Sequence, residues 1–403
     1  MTSRPTRIIV LTAVTAVVAA LSACGKGDDA PPAGEAPPHG YVEGAEEMAE
    51  AQSRLIVADR ESGAVRVLDL LTERVTEIGK ADGVHAVHGD GRYGYLTTVD
   101  ESVHVVDGGS WMVDHGDHVH YYRAEARDIG PVQGKGLTGA HSDPAAAVLS
   151  FADGTTTVLD RARLDKGTVA VTGTFPRAVA VPYREHVLAS VADPGHERGG
   201  GVEILARDGK PVAAIPEPCP SPAGEAVTRR GVVFGCADGA LLVTEQDGVF
   251  RGEKIHYPGA VGEDERATEF GYRPGSDTLA ARAGGKAVWS LDVSHKNWSR
   301  QETGPVVAAA AVGSGGPLLA LTADGVLHGY QRNTGAETAR VPLLPAEVAG
   351  GAPAPAIRVD NTRAYLNNPA TGEIHEIDYN DSLRRARTLT VPGKASYVVE
   401  TGR

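Results

Sequence analysis

Asp114-His115-Gly116-Asp117-His118-Val119-His120-Tyr121-Tyr122 gathers three histidines and two aspartates into nine residues. Imidazole nitrogen and carboxylate oxygen are the donors that a borderline cation such as Zn²⁺ prefers. In an extended strand side chains alternate, so His118 and His120 point to one face and form a candidate chelate. His115, Asp117 and Asp114 are near enough in sequence to add donors. Zn²⁺ has no geometric preference from its d electrons, so a loop can supply its ligands and release them stepwise. Imidazoles must be deprotonated to bind, so uptake weakens as pH falls toward ~6.5, the ordinary histidine value. Tyr121 and Tyr122 alternate faces, one available to hydrogen-bond a ligand, the other to pack. Isolated histidines such as His186, His196, His256, His295, His328 and His375 read as ordinary solvated residues, and His39 as at most an accessory ligand.

The elements that must position this segment belong to a repeat. From about Arg54 onward, short β-rich runs alternate with Gly/Asp turns, and no long amphipathic helical window occurs. Leu149–Asp160, Phe234–Thr244 and Leu319–Tyr330 each read as strand, Ala-Asp-Gly turn, strand. Weaker copies turn at Ser62-Gly63, Asp100-Glu101, Asp193–Gly201, Gly284-Gly285 and Thr371-Gly372. Eight hairpins spaced by about forty to fifty residues predict an all-β, eight-bladed β-propeller of four-stranded antiparallel blades. Seven blades is the alternative if one weak copy is a decorated loop. The first hairpin, Leu55–Leu70, lacks an innermost strand, and Ala395–Glu400 is an orphan strand at the other end. Pairing the two would close the ring and remove an exposed edge.

The longest gap between hairpins, Asp100 to Asp153, holds the histidine-rich segment. It falls between the third and fourth strands of one blade, as a connection running from Gly108 into a strand over 118–127. Propeller topology sends such a connection to the same face as the turn between strands one and two. His88-Gly-Asp90-Gly is that turn in this blade, and His141-Ser-Asp143 is its counterpart in the next. The register therefore predicts that His88, His141, Asp90 and Asp143 converge on the 114–120 segment. His104, on a strand expected to pair with 118–122, and His85, on the innermost strand, are second choices as ligands.

Composition sets the address. Arg4 and Arg7 precede an apolar run, Ile8–Leu21, that ends in Leu21-Ser22-Ala23-Cys24. This is a secretory signal over 1–23, and its ending resembles a bacterial lipobox, which implies lipidation of Cys24; the alternative is a plain signal cleaved after Ala23. Residues 24–50, rich in Pro, Gly, Ala and acid, read as a flexible tether, leaving 51–403 for the propeller. Removing 1–23 takes away two arginines and no acid, so 37 basic residues stand against 52 acidic, a net charge of −15. That balance argues against nucleic acid and against anionic membrane surfaces. Cys219 and Cys236 are the cysteines left beyond Cys24, and in an exported chain they are expected to pair within one blade, Cys219 on its innermost strand and Cys236 at the end of the next.

Export signal, blade repeat and the Asp-His-Gly-Asp-His-Val-His-Tyr-Tyr segment followed by Gly130-Pro131 together resemble the periplasmic zinc metallochaperones of the AztD type. The resemblance implies that Zn²⁺ is held by histidine and acidic ligands and handed to the solute-binding protein of a zinc ABC importer. On this chain it implies ligands from His115, His118 and His120, completed by His88 or His141 and an aspartate. A long histidine-rich N-terminal tail is absent, so the lipid anchor, and not a mobile tail, would keep the chain near the importer. Zinc rests on the resemblance, because the Irving–Williams order favours copper in an imidazole site of adequate geometry. Two other functional classes compete with a non-enzymatic carrier. One is a protein-binding propeller scaffold; the other is a metal-dependent hydrolase or lyase with Asp114 or Asp117 as base. Against the latter, the chain has no nucleophile elbow, no His-Glu-x-x-His and no P-loop.

Overall fold

The second strands of the repeats are apolar on both sides because each is packed between two neighbouring sheets. Arg54–Ala58, Tyr93–Thr97, Ala146–Phe151, Gly231–Cys236 and Leu318–Thr322 are buried along their whole length. Outermost strands meet water and are polar or exposed, as at Val75–Lys80 and Pro211–Ala214. A computed structural model describes residues 40–191 and 200–403. The expected signal, Cys24, His39 and most of the Asp193–Gly201 turn lie outside the described residues.

The described residues form eight blades around a central cavity. Blade 1 is Arg54–Ala58, Ala64–Asp69 and Val75–Lys80, with the chain's last strand, Tyr397–Thr401, in the innermost position. Arg54 stands opposite Thr401 and Ala58 opposite Tyr397 in that antiparallel pair, so the ring is closed as expected. Blade 2 runs Ala86–Gly89, Tyr93–Thr97, Ser102–Asp107, Arg127–Gln133. Blades 3, 5 and 7 turn at the three Ala-Asp-Gly sites between their second and third strands.

Eight apolar clusters, one in each gap between neighbouring blades, hold the ring together. Tyr93, Tyr95 and Val105 of blade 2 meet Leu149 and Leu159 of blade 3, for example. Leu55 and Leu68 of blade 1 meet Tyr365, Ile374 and Leu389 of blade 8. Blade 6 departs from the four-stranded rule: Thr278–Ala283, Ala287–Asp292 and Asn297–Glu302 form its sheet. Its innermost position is a single residue, Gly271, bridged to Ala280 on one side, with Tyr272 bridged to Ala311 of blade 7 on the other. A Cβ on Gly271 would lie 2.1 Å from the Ala309 carbonyl oxygen, so the close approach admits no larger residue.

Two expectations are corrected. Cys219 and Cys236 are bonded, but Cys219 is not on an innermost strand. It sits in the crossover from Pro211–Ala214 of blade 4 to Glu225–Thr228 of blade 5, where Pro216, Pro218, Pro220 and Pro222 remove the N–H groups a ladder needs. The disulfide therefore ties a crossover to blade 5, inside the apolar cluster between blades 4 and 5. It closes a loop of 17 residues, for which loop entropy gives about 3 kcal/mol. Cys219→Ala/Cys236→Ala should lower the urea midpoint accordingly; an unchanged midpoint would refute this role.

The second correction concerns the stretch read as tether. Glu46–Met48 is a strand, paired with Val119–Arg123 in a three-stranded sheet outside the blades.

A candidate metal centre

Ser110–Asp114 and Val119–Arg123 form a two-stranded ribbon inserted between the third and fourth strands of blade 2. Its root is fixed by charge. Arg54 Nη1 donates to the carbonyl oxygens of Gly108, Gly109 and Ala124 at 2.9–3.0 Å. Arg92 binds Asp107 through Nε and Nη2 at 3.1 and 2.9 Å, and its guanidinium lies 3.7 Å from the Trp111 ring centre. Such forked, buried pairs hold orientation as well as position. Ser110 Oγ is 3.2 Å from Thr401 Oγ1, which joins the ribbon root to the ring-closing strand.

At the tip, residues 115–118 make the turn. His115 N donates to His118 O at 2.9 Å, Gly116 N donates to Asp114 Oδ1 at 2.7 Å, and Gly116 takes a φ of 90°, which favours glycine. The turn brings the imidazoles of His115, His118 and His120 together, with one ligand nitrogen of each within 4.8 Å of the others. Ring centres are 4.8 Å apart for His115–His118, 5.3 Å for His115–His120 and 4.9 Å for His118–His120. Tetrahedral coordination at Zn–N of 2.0–2.1 Å needs nitrogens about 3.4 Å apart, so a small movement of exposed rings completes it. His115 and His118 are exposed and His120 half-buried. The donor set fits a metal ion.

Two of the three rings are also oriented by carboxylates. Asp117 Oδ1 is 2.8 Å from His118 Nδ1, and that hydrogen bond holds the Asp117 carboxyl below the usual carboxylate range. Glu47 Oε1 is 2.6 Å from His120 Nδ1. A carboxylate on Nδ1 leaves Nε2 with its lone pair free for a cation and makes it more basic. Glu47 was missed by sequence reading, because its three-residue strand has no periodic pattern and sits in acid-rich sequence. The available signal was a carboxylate flanked by Glu46 and Met48 that could add an edge to the histidine strand. Glu47→Ala should weaken metal affinity ~10–100-fold, while Glu47→Gln, which keeps an acceptor, should lose less. Equal affinities for all three proteins in a chelator competition would show that Glu47 does not orient His120.

The other predicted ligands are placed elsewhere. His88, Asp90, Asp114 and His141 line the central cavity, whose volume is about 1370 Å³. Ribbon geometry keeps them from the triad: Met112 and Asp114 line the cavity, whereas His120 stands opposite Val113 on the alternate face. His141 Nε2 is 3.0 Å from Glu225 Oε1. Asp90 accepts hydrogen bonds from Arg92 N, Tyr93 N and Tyr95 Oη, and Asp143 from Ala145 N and Ala146 N, so both shape turns. Burial, then the Arg358 charge, pushes the His88 imidazole below its ordinary pKa. His104 does not face the ribbon, because its strand pairs with Arg127–Gln133; its Nδ1 is 3.8 Å from Asp128 Oδ2. His85 is exposed beside Gly83 O and does not line the cavity.

No known family and no curated protein matches the chain by sequence. Solved structures do match its fold. The crystal structure of AztD from Citrobacter koseri superposes with a TM-score of 0.72 at 20% identity, covering 88% of this chain and 99% of that one. The structure of apo AztD from the same organism gives 0.70 at 19%, covering 87% and 98%. The dihydro-heme d1 dehydrogenase NirN is more distant, at 0.54 and 14%, covering 88% and 76%. The superposition, over 88% of this chain and 99% of that one, shows that this chain has the AztD fold.

Proposed function

We propose that this protein is an exported zinc carrier that holds Zn²⁺ outside the cytoplasmic membrane and passes it to the solute-binding protein of a zinc ABC importer. The observation that carries the reading is the exposed imidazole triad of His115, His118 and His120 at the end of a ribbon with a rigid root. Three nitrogens bind firmly, yet exposed rings on a turn can be surrendered one at a time to a competing site. Asp117 and Glu47 orient the His118 and His120 rings, and either carboxylate is available as a fourth donor.

The choice of zinc over copper is supported by the resemblance of the 114–122 segment to the AztD type and by the shared fold. The chemistry asked of the protein is ligand exchange, so it acts as a carrier, not as an enzyme. Export, cleavage before Cys24 and lipidation of that thiol complete the proposal, and a disulfide of the kind that persists outside a reducing cytosol supports it. The anchor would keep the carrier beside its importer without other membrane contact, and the acidic balance disfavours nucleic acid.

The test is transfer. Zinc-loaded protein is mixed with the metal-free solute-binding protein, and metal movement is compared with release to a small chelator of equal affinity. Transfer to the protein should be faster than release to the chelator. Equal rates would refute direct hand-over while leaving zinc binding intact.

A further inference from the structure

The central cavity carries a second constellation on the other side of the ribbon from the triad. Its wall draws His88 from blade 2, His141 from blade 3, Glu225 from blade 5, Glu269 from the approach to blade 6, Arg358 from blade 8 and Arg403 from beyond the closing strand. His141 and Glu225 satisfy one another at 3.0 Å. Arg358 is not satisfied in that way. Its Nε donates to Val398 O at 2.9 Å, but no described carboxylate lies within ion-pair distance of its guanidinium.

A second cation makes the imbalance worse. Arg403 approaches Glu400 Oε2 at 3.5 Å through Nη1, and its Nε is buried without a partner. Burial first, and then the Arg403 charge, lowers the Arg358 pKa, and Glu269 and Glu400 offset this only in part from beyond ion-pair distance. Glu400 offers limited relief, since burial pushes its carboxyl up to about 7. The His88 imidazole feels the Arg358 charge and leaves a buried Nδ1 without a partner. A half-buried guanidinium with no carboxylate in direct contact keeps its fork free for the two oxygens of a carboxylate or phosphate.

We propose that this end of the cavity binds a small oxyanion, a carboxylate or a phosphate, received by the Arg358 guanidinium with Arg403 beside it. At about 1370 Å³ the cavity admits a di- or tricarboxylate with its water. The inference is independent of the zinc reading, because none of its residues belongs to the histidine triad.

Metal-free protein is titrated with succinate, citrate and phosphate by calorimetry, against sodium chloride at matched ionic strength. Saturable binding of at least one oxyanion is expected, at least tenfold weaker in Arg358→Gln and in Arg403→Gln, and unchanged in His118→Ala/His120→Ala. The tighter ligand class, carboxylate or phosphate, identifies the source. Absence of saturable binding above chloride for all three anions would overturn the proposal, and so would parental affinity in both arginine variants. If Arg358→Gln does not fold, Arg403→Gln decides alone, and parental affinity there overturns it.

Discussion

Replacing His118 and His120 together by alanine should weaken zinc binding by more than ~100-fold, because two of three imidazole donors are lost where even an orienting neighbour is worth ~10–100-fold. The fold should not change: His118 is exposed and His120 half-buried, and the ribbon root is held by Arg54, Arg92 and Asp107, not by the tip. A competition titration against a chromogenic chelator reads the affinity, and an unchanged urea midpoint shows that the loss is local. The parental protein should bind about one Zn²⁺. Persistence of tight binding in the double variant would mean that the metal sits elsewhere.

The second large effect concerns ring closure. Val398 is fully buried in the closing strand, against the apolar surfaces of blades 1 and 8. Val398→Asp places an unpaired carboxylate there, a change expected to cost ~4 kcal/mol or more. Cooperative unfolding should be lost or its midpoint should fall steeply. The ribbon should suffer as well, because Thr401 contacts Ser110 and packs where a Cβ on Gly108 would stand. Metal affinity and fold should therefore fail together in Val398→Asp, whereas His118→Ala/His120→Ala separates them. A Val398→Asp protein that unfolds at the parental midpoint would refute the closure account.

Blade count and closure were legible in the sequence because both follow from patterns that any propeller must obey. Each Ala-Asp-Gly turn follows a strand that is buried along its whole length, so local pattern and packing agree. The missing first strand and the surplus last one were two halves of one observation. The site was legible where it was local: His115, His118 and His120 meet because they flank a single turn. It was illegible where it depended on ribbon faces. Sequence placed the histidine segment between strands three and four of blade 2 but joined it to a strand over 118–127 paired with that of His104. The fourth strand is Arg127–Gln133 instead; an extended connection and a free-standing ribbon have the same residue pattern. The ribbon has two faces, and it sets Met112 and Asp114 toward the cavity of His88 and His141 while His120 turns away. Glu47 arrives from more than 70 residues upstream on a three-residue strand, too short to carry a periodic signal.

The most direct test of the account is the X-ray absorption spectrum of the zinc-loaded protein. Three imidazole nitrogens at ~2.0–2.1 Å with one oxygen neighbour are expected, and the imidazole signal should disappear in His118→Ala/His120→Ala protein incubated with the same metal. A zinc shell made of oxygen alone, or an imidazole signal that survives the double substitution, would contradict a carrier built on the 115–120 turn.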